Sequence, residues 1–406
     1  MLISDLNDTL ALVMAIGDGK ALEPLTARRA TAAMPFGGNY RIIDFALTNC
    51  LHSGLRRIMV MTQYNGLSLQ NHIRDGWSIY NTDLGEFITP VTPPVGETIS
   101  TYAGTSDALY KNLYLLEGVR DDNVLLISGE QIYRMDYAAV LSWHAAHGAD
   151  VTIAGVTSPS VNGGGFPAAL ELDGDDVKAV HEGCDIVDNS DNLLWPMRVT
   201  VFKRNALVEL LRTLEGQPPS TLPLTVLLGR HLGMFKRVVG YHFGGTSGRV
   251  TQDRYWRRLD SLDAFYNANM DLLELEPPLD LYQPNWQIRT YQTQRPPART
   301  VPGRSCNEGI CVNSIVSGGT VIAGGGVNHS VLGNRTYIDD GATVEDSILF
   351  SDVRVGEGAQ VRRCICDRGV QIPPGEMIGF DAADDARRFT VTPGGVVVIP
   401  SDHVFD

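Results

Sequence analysis

Val321-Ile322-Ala323-Gly324-Gly325-Gly326-Val327, Ile338-Asp339-Asp340-Gly341-Ala342-Thr343-Val344, Val355-Gly356-Glu357-Gly358-Ala359-Gln360-Val361 and Ile372-Pro373-Pro374-Gly375-Glu376-Met377-Ile378 are four variants of one phrase, each beginning 17 residues after the last. The outer apolar residues of each phrase are 6 apart, and a further column, Ile315, Leu332, Leu349 and Cys366, keeps the same period of 17. Three interleaved apolar columns with one period predict a coil with three sides, each sending one residue inward. This is the hexapeptide rhythm of a parallel β-helix. Glycines at 324–326, 341, 358 and 375 fall where the corners should be, and a backbone without Cβ turns tightly there.

Upstream of the coils the texture differs. Pro277-Pro278, Pro284, Pro296-Pro297 and Pro302 interrupt any regular element between Glu276 and Gly309, which predicts an extended linker. Before it, short apolar runs alternate with helical patterns, the signature of strand-helix units around a mainly parallel sheet. Leu10–Ile16, Arg57–Met61, Val124–Ser128, Asp150–Val156 and Val199–Phe202 read as strands. Tyr40–Leu51, Tyr137–His147 and Asn205–Leu214 read as helices, the last with an Asn cap. Two runs flanking Asp173-Gly174-Asp175 read as a hairpin. The expected organisation is an α/β domain over 1–275, a linker over 276–310, a β-helix over 311–380 and a β tail over 381–406.

The chain has 406 residues, and its formal net charge of −14 disfavours a broad phosphate-backbone surface, so nucleic acid is not an expected partner. No apolar run is long enough to span a membrane. The start, Met1-Leu2-Ile3-Ser4-Asp5, has no basic n-region, and cytoplasmic residence is the expectation. The cysteines, Cys50, Cys184, Cys306, Cys311, Cys364 and Cys366, are scattered. They read as reduced packing residues; Cys364-x-Cys366 lacks a second cluster to complete a metal site.

Leu10–Ile16 breaks at Gly17-Asp18-Gly19. A strand, a glycine loop and a following helix would set backbone N–H groups against phosphate, although a bare G-x-G is weak evidence. The wider context carries more weight: Ala15-Ile16-Gly17-Asp18-Gly19-Lys20-Ala21-Leu22-Glu23-Pro24-Leu25-Thr26, then Met34-Pro35-Phe36-Gly37-Gly38 and Tyr40-Arg41-Ile42-Ile43-Asp44-Phe45. Further on come Thr62-Gln63-Tyr64, Gly104-Thr105-Ser106-Asp107-Ala108, Ser128-Gly129-Glu130-Gln131-Ile132-Tyr133 and Tyr291-Gln292-Thr293-Gln294-Arg295-Pro296-Pro297.

Over nearly its whole length this sequence resembles the bacterial ADP-glucose pyrophosphorylases, the glucose-1-phosphate adenylyltransferases of glycogen synthesis. The resemblance implies a Rossmann-like nucleotidyltransferase domain, a C-terminal left-handed parallel β-helix, and a homo- or hetero-tetramer regulated where its two domains meet. It implies ATP or ADP-glucose at Gly17, Gly19, Leu22, Gln63, Gly104, Thr105, Asp107 and Gly129. It also implies sugar phosphate at Glu182 and Met197, and a phosphorylated effector at Arg28, Arg29 and Arg41.

The departures from the family pattern concern chemistry. Ala21 stands where the family carries a catalytic arginine, Thr31 where it carries a lysine, and Gly183 at the sugar-phosphate lysine. Ser-Gly-Asp, whose aspartate holds Mg²⁺, reads Ser128-Gly129-Glu130, and Arg258 stands at the second metal carboxylate. Adenylyl transfer needs cations and Mg²⁺ against a polyphosphate, and a guanidinium repels the metal. The expectation is an impaired homologue acting as a regulatory or structural subunit beside an active one, with Glu130 the single remaining Mg²⁺ candidate. Two alternatives stay open: an active enzyme with relocated groups, Lys20 foremost, and a nucleotide- or sugar-phosphate-sensing module. Bland readings stand beside several of these: a solvated basic face for the arginines, a helix cap for Asp107, core aromatics for Tyr255 and Trp256, and a surface histidine rather than an acyltransferase base for His329.

Overall fold

The computed structural model describes residues 6, 8–94, 101–157, 166–183, 192–245, 249 and 254–405; Cys184 lies outside them. The chain divides into two compact units, Met1–Asp18 with Phe45–Arg257, and Gly19–Asp44 with Arg258–Asp406. Gly19–Asp44, which the sequence places in the α/β domain, thus belongs with the C-terminal unit. The reason is specific bonding: Gly37 N–H donates to Asn269 Oδ1 at 3.0 Å, and Arg29 pairs with Asp367 at 2.6 Å.

The first unit is built on a nine-stranded sheet. Its strands are β1 (Thr9–Ala15), β2 (Arg57–Thr62), β3 (Phe87–Val91), β4 (Asn123–Ser128), β5 (Val151–Val156), β6 (Ala168–Asp173), β7 (Asp176–Glu182), β8 (Leu193–Lys203) and β9 (Val238–His242). Their order is β3-β2-β1-β4-β8-β5-β9-β7-β6. β1 runs parallel to β2 and β4, and β2 to β3. β1 is buried along its whole length, as a continuous apolar run demands of a strand covered on both faces. β8 is antiparallel to both β4 and β5. The hairpin expected at Asp173-Gly174-Asp175 is β6 and β7.

Helices α1 (Ile42–His52), α2 (Leu67–Trp77), α3 (Thr105–Lys111), α4 (Leu113–Gly118), α5 (Tyr137–His147), α6 (Arg204–Arg212) and α7 (Leu224–Arg230) accompany these strands. α5 has the predicted bounds, because Asp136 caps Ala138 N–H and Gly148 closes the helix in the left-handed conformation. The expected Asn205 cap does not form. α6 starts one residue earlier behind Lys203, with no side-chain cap bond. No α-helix follows the glycine loop either; a three-residue 3₁₀ turn, Lys20–Leu22, takes that place.

Within this unit His144 is buried, its Nδ1 2.8 Å from Thr152 Oγ1, and its Nε2 has no hydrogen-bond partner among the described residues. Burial, reinforced by the Lys203 charge, pushes its pKa down to about 4. The folded form therefore holds it neutral, whereas the unfolded chain binds a proton near pH 6.5. Stability is complete above that pH and falls as pH drops towards 4. We expect urea unfolding to lose about 2 kcal/mol from this group between pH 7 and pH 5, and His144→Gln to flatten that part of the profile.

The second unit contains the predicted coil: three parallel sheets wound as a left-handed β-helix. The first coil is one residue short. Ile322, not Val321, lies opposite Ile338, and Val316, not Ile315, lies opposite Leu332; the later coils keep 17. Slipping a strand by one residue exchanges its inward and outward faces, so Ile322 is buried and Val321 only partly so. The winding also begins earlier than expected, since Arg299–Val301 in the linker pairs with Val321–Ala323. The linker itself is anchored by buried Leu279, Trp286 and Ile288.

Ser261 caps helix α8 (Leu262–Met270). The tail is not wholly β: helix α9 (Ala382–Arg388) precedes Val397–Ile399, which extends one solenoid sheet beside Cys364–Cys366. Cys50, Cys364 and Cys366 are buried and unbridged, as packing residues should be, but Cys306 is exposed. Leu349 sits at 1% exposure among Leu332, Val344 and Cys366. Leu349→Ala should cost roughly 2–5 kcal/mol, read as a lower urea midpoint.

Candidate functional site

In the parallel half of the sheet the chain runs outward from β1 through β2 to β3, then returns to place β4 on the other side of β1. This reversal is the topological switch point, outside whose carboxyl ends α/β folds bind ligands. β1 ends in Ile16-Gly17-Asp18 and β4 in Gly129-Glu130, so the glycine loop and the degenerate metal position flank one crevice. It is closed from within. Gly129 N–H donates to Met14 O at 2.9 Å, and Gly17 N–H donates to Glu130 Oε1 at 2.8 Å. A Cβ on Gly17 would lie 2.6 Å from that oxygen, 2.7 Å from the second and 2.9 Å from the carboxyl carbon. Burial pushes the Glu130 carboxyl up; the Gly17 N–H and the Arg198 charge oppose the shift, and Asp18 adds to it.

The other nucleotide candidates are similarly engaged. Gln63 donates to Ile16 O and accepts Tyr102 N–H at 2.8 Å, so both ends of its amide are used. Asp107, in the first turn of α3, accepts Ala103 N–H at 2.8 Å and pairs with Lys111 at 2.9 Å. The Ala103 bond lies at the start of the helix. Gly104 precedes α3 and Thr105 opens it. In the second unit Gly19 is left-handed, with Thr26 Oγ1 on its carbonyl at 2.7 Å, and Leu22 is fully buried.

The sugar-phosphate candidates do not present free groups. Glu182 is held by Arg230 of α7 through two bonds of 2.8 Å, and Gly183 is exposed beside it. Met197 is wholly buried. Its neighbour Arg198 is exposed and left-handed, with φ 58°, at a β8 bulge between Pro196 and Val199. Tyr255 and Trp256 are core aromatics, the indole N–H donating to Gln131 Oε1 at 3.2 Å.

Of the lost cations, Ala21 is exposed on its 3₁₀ turn and Thr31 buried on another. Arg258 pairs with Asp260 at 3.0 Å, its side chain 11% exposed. No group of three or more His, Cys, Asp or Glu side chains is arranged for a metal among the described residues. Mg²⁺ asks for near-octahedral oxygen donors. Glu130, already committed to Gly17 N–H, with Asp18 the one acidic charge shown to act on it among the described residues, does not fit that demand.

The arginines are more than a solvated face. Arg28 is exposed and reaches Asp402 at 3.5 Å. Arg29 is enclosed, paired with Asp367, and lies 5.8 Å from the Phe350 ring centroid. Arg41 donates to Ala33 O at 2.6 Å. Burial lowers its pKa against the pull of Asp44, and the charges of Arg29 and Arg368 lower it further. Arg295 is likewise depressed by burial and by Arg335 and Arg368. Arg335 and Arg368 share Asp352. Reading the sequence found Arg29 and Arg41 but not Arg295, Arg335 and Arg368, which only the coil brings into the group. His329 is left-handed and bonds Asp346 at 2.7 Å, which makes it a turn residue of the solenoid.

A switch-point crevice with a glycine loop, in a chain that also carries a hexapeptide coil, is the two-domain architecture of a nucleotidyltransferase domain joined to a hexapeptide β-helix. The family model for nucleotidyl transferase matches residues 10–274, and that for the GlmU-like C-terminal hexapeptide matches 296–399. Glucose-1-phosphate adenylyltransferase 2 of Vibrio cholerae is 44% identical over 98% of this chain and 99% of its own. The glucose-1-phosphate adenylyltransferases of Rhodopirellula baltica (39%, covering 97% and 90%) and Yersinia pseudotuberculosis (38%, covering 98% and 94%) are also similar. The chain belongs to the glucose-1-phosphate adenylyltransferase family. No helix of the described residues is long and apolar enough to cross a membrane.

Proposed function

We propose that this chain is a catalytically impaired glucose-1-phosphate adenylyltransferase homologue that serves as a regulatory or structural subunit beside an active one. The observation that carries the reading is the replacement of the charged machinery: Ala21, Thr31 and Gly183 where the family pattern has cations, and Arg258 where it has a metal carboxylate. Charge-assisted bonds contribute about 1.5–3 kcal/mol each, so several absences together weaken both polyphosphate binding and the transition state. The internal bonds of Glu130, Gln63 and Glu182 point the same way.

The arginines Arg29 and Arg41, with Arg28 at the edge and Arg295, Arg335 and Arg368 added by the coil, would serve as the effector site, recognising a small phosphorylated anion. A tetramer with a motif-complete homologue is the expected assembly, in the cytoplasm.

Two observations favour an active enzyme instead. Relatives at 44% identity carry the enzyme's name, and Lys20 lies exposed beside Ala21. The deciding assay is pyrophosphate release by the purified chain from ATP and glucose 1-phosphate with Mg²⁺. We expect none above background; turnover at about 1 s⁻¹ or faster, the ordinary enzyme range, overturns the proposal.

A further inference from the structure

We infer that the Glu130 side chain is a built-in occupant of the crevice at the switch point, an autoinhibitory latch that denies the glycine loop to phosphate. This deepens the reading of an impaired homologue and rests on it.

Backbone N–H groups at the carboxyl end of a parallel strand, next to a reversal of strand order, attract anions. Gly17 is the loop residue closest to β1, and its N–H is already saturated by a carboxylate at 2.8 Å. That carboxylate also fills the space above the residue. Both oxygens and the carboxyl carbon lie within 2.9 Å of where a Cβ would stand, so Gly17 is the one residue type that admits the contact. A phosphate oxygen approaching the same N–H would meet a carboxylate first, in a place where anions repel at short range and low effective dielectric.

The latch is held rather than incidental. Glu130 extends from the end of β4, whose register with β1 is fixed over six residue pairs from Thr9↔Asn123 to Met14↔Ser128. Its own N–H is turned towards Ser128 Oγ at 3.3 Å. The charges felt by the carboxylate are Asp18 on the loop, which repels it, and Arg198 on the β8 bulge, which attracts it. The Arg198 charge favours the ionised carboxylate from the exposed β8 bulge. An aspartate at position 130 would be one methylene shorter and would not span the same distance from the same backbone. The extra methylene thus turns a metal-site position into a plug.

The test is calorimetric titration of the full chain with ATP, and separately with inorganic tripolyphosphate, in the absence of Mg²⁺. Glu130→Ala removes both the charge and the plug; Glu130→Gln removes the charge alone. Relative to the natural chain, Glu130→Ala is expected to bind tripolyphosphate on the order of tenfold more tightly, with Glu130→Gln in between. Peptide-level hydrogen exchange should show Gly17 losing protection in Glu130→Ala. Should that variant aggregate, Glu130→Ser carries the same comparison. Equal affinity in the natural chain and in a folded Glu130→Ala or Glu130→Ser, or unchanged protection at Gly17, overturns the latch. A gain for ATP without one for tripolyphosphate also overturns it, since the adenine and not the phosphate would then be responsible. Turnover by the natural chain would defeat the impaired reading, whereas the tripolyphosphate comparison holds or fails in the absence of any turnover, so the two failures are distinguishable.

Discussion

Ala21→Arg, Thr31→Lys, Glu130→Asp and Arg258→Asp, introduced together, are expected to raise pyrophosphate release from ATP and glucose 1-phosphate on the order of a thousandfold or more over the natural chain. The estimate follows from charge. Each restored cation returns about 1.5–3 kcal/mol of interaction with phosphate, and each 1.4 kcal/mol is a factor of ten in rate. Carboxylates at the two positions where the family pattern carries metal ligands supply hard oxygen donors that Glu130 and Arg258 do not. The effect should be strongly non-additive, because a metal held by one carboxylate or a phosphate facing one cation aligns nothing. Each single variant should therefore gain less than about tenfold, as groups acting as a unit do. The measurement is a steady-state rate for the four singles and the quadruple variant. A quadruple variant no faster than the natural chain would mean that the missing charges are not what separates this chain from an active enzyme. A natural chain that already turns over would place the chemistry on other groups, Lys20 first.

The periodic part of this protein was legible because each inward position repeats one physical demand, an apolar side chain at one corner of a coil. Val327, Val344, Val361 and Ile378 stack as the spacing predicts. The two misreadings, Val321 for Ile322 and Ile315 for Val316, arose because the first coil is a residue short while both candidates in each pair are apolar, so the pattern gives no local warning. The strands of the α/β unit were found wherever burial on both faces makes an unbroken apolar run, as in β1. β3, Phe87–Val91, is only partly buried and contains Pro90, so its signal is faint. The site was legible as a set of departures and not as a geometry. That Gly17 and Glu130 bond across 113 residues depends on β1 and β4 being neighbours, which strand order decides and local sequence does not. The arginine group has the same character: Arg29 and Asp367 are separated by 338 residues, and no spacing rule joins them.

Asp367→Ala should destabilise the chain by roughly 3–5 kcal/mol, seen as a lower urea midpoint and as loss of hydrogen-exchange protection in both Gly19–Asp44 and the later coils. Asp367 is 4% exposed and Arg29 14% exposed as side chains, with their charged atoms 2.6 Å apart. Removing the acid leaves a guanidinium out of water with Arg41 and Arg368 beside it and less negative charge to offset them. It also removes the acceptor of the Arg368 N–H at 2.6 Å. Replacing both partners, Arg29→Met with Asp367→Leu, should recover most of the loss, since an apolar pair of similar volume needs no hydration. If the double variant is as unstable as the single one, packing and not charge holds the segment. Sulfate then separates the two readings of the arginines: an anion lodging among Arg29, Arg41 and Arg368 should stabilise Asp367→Ala more than the natural chain, because it replaces the missing carboxylate. Equal stabilisation of both proteins would reduce Arg29 and Arg41 to a structural role and remove them from the effector site.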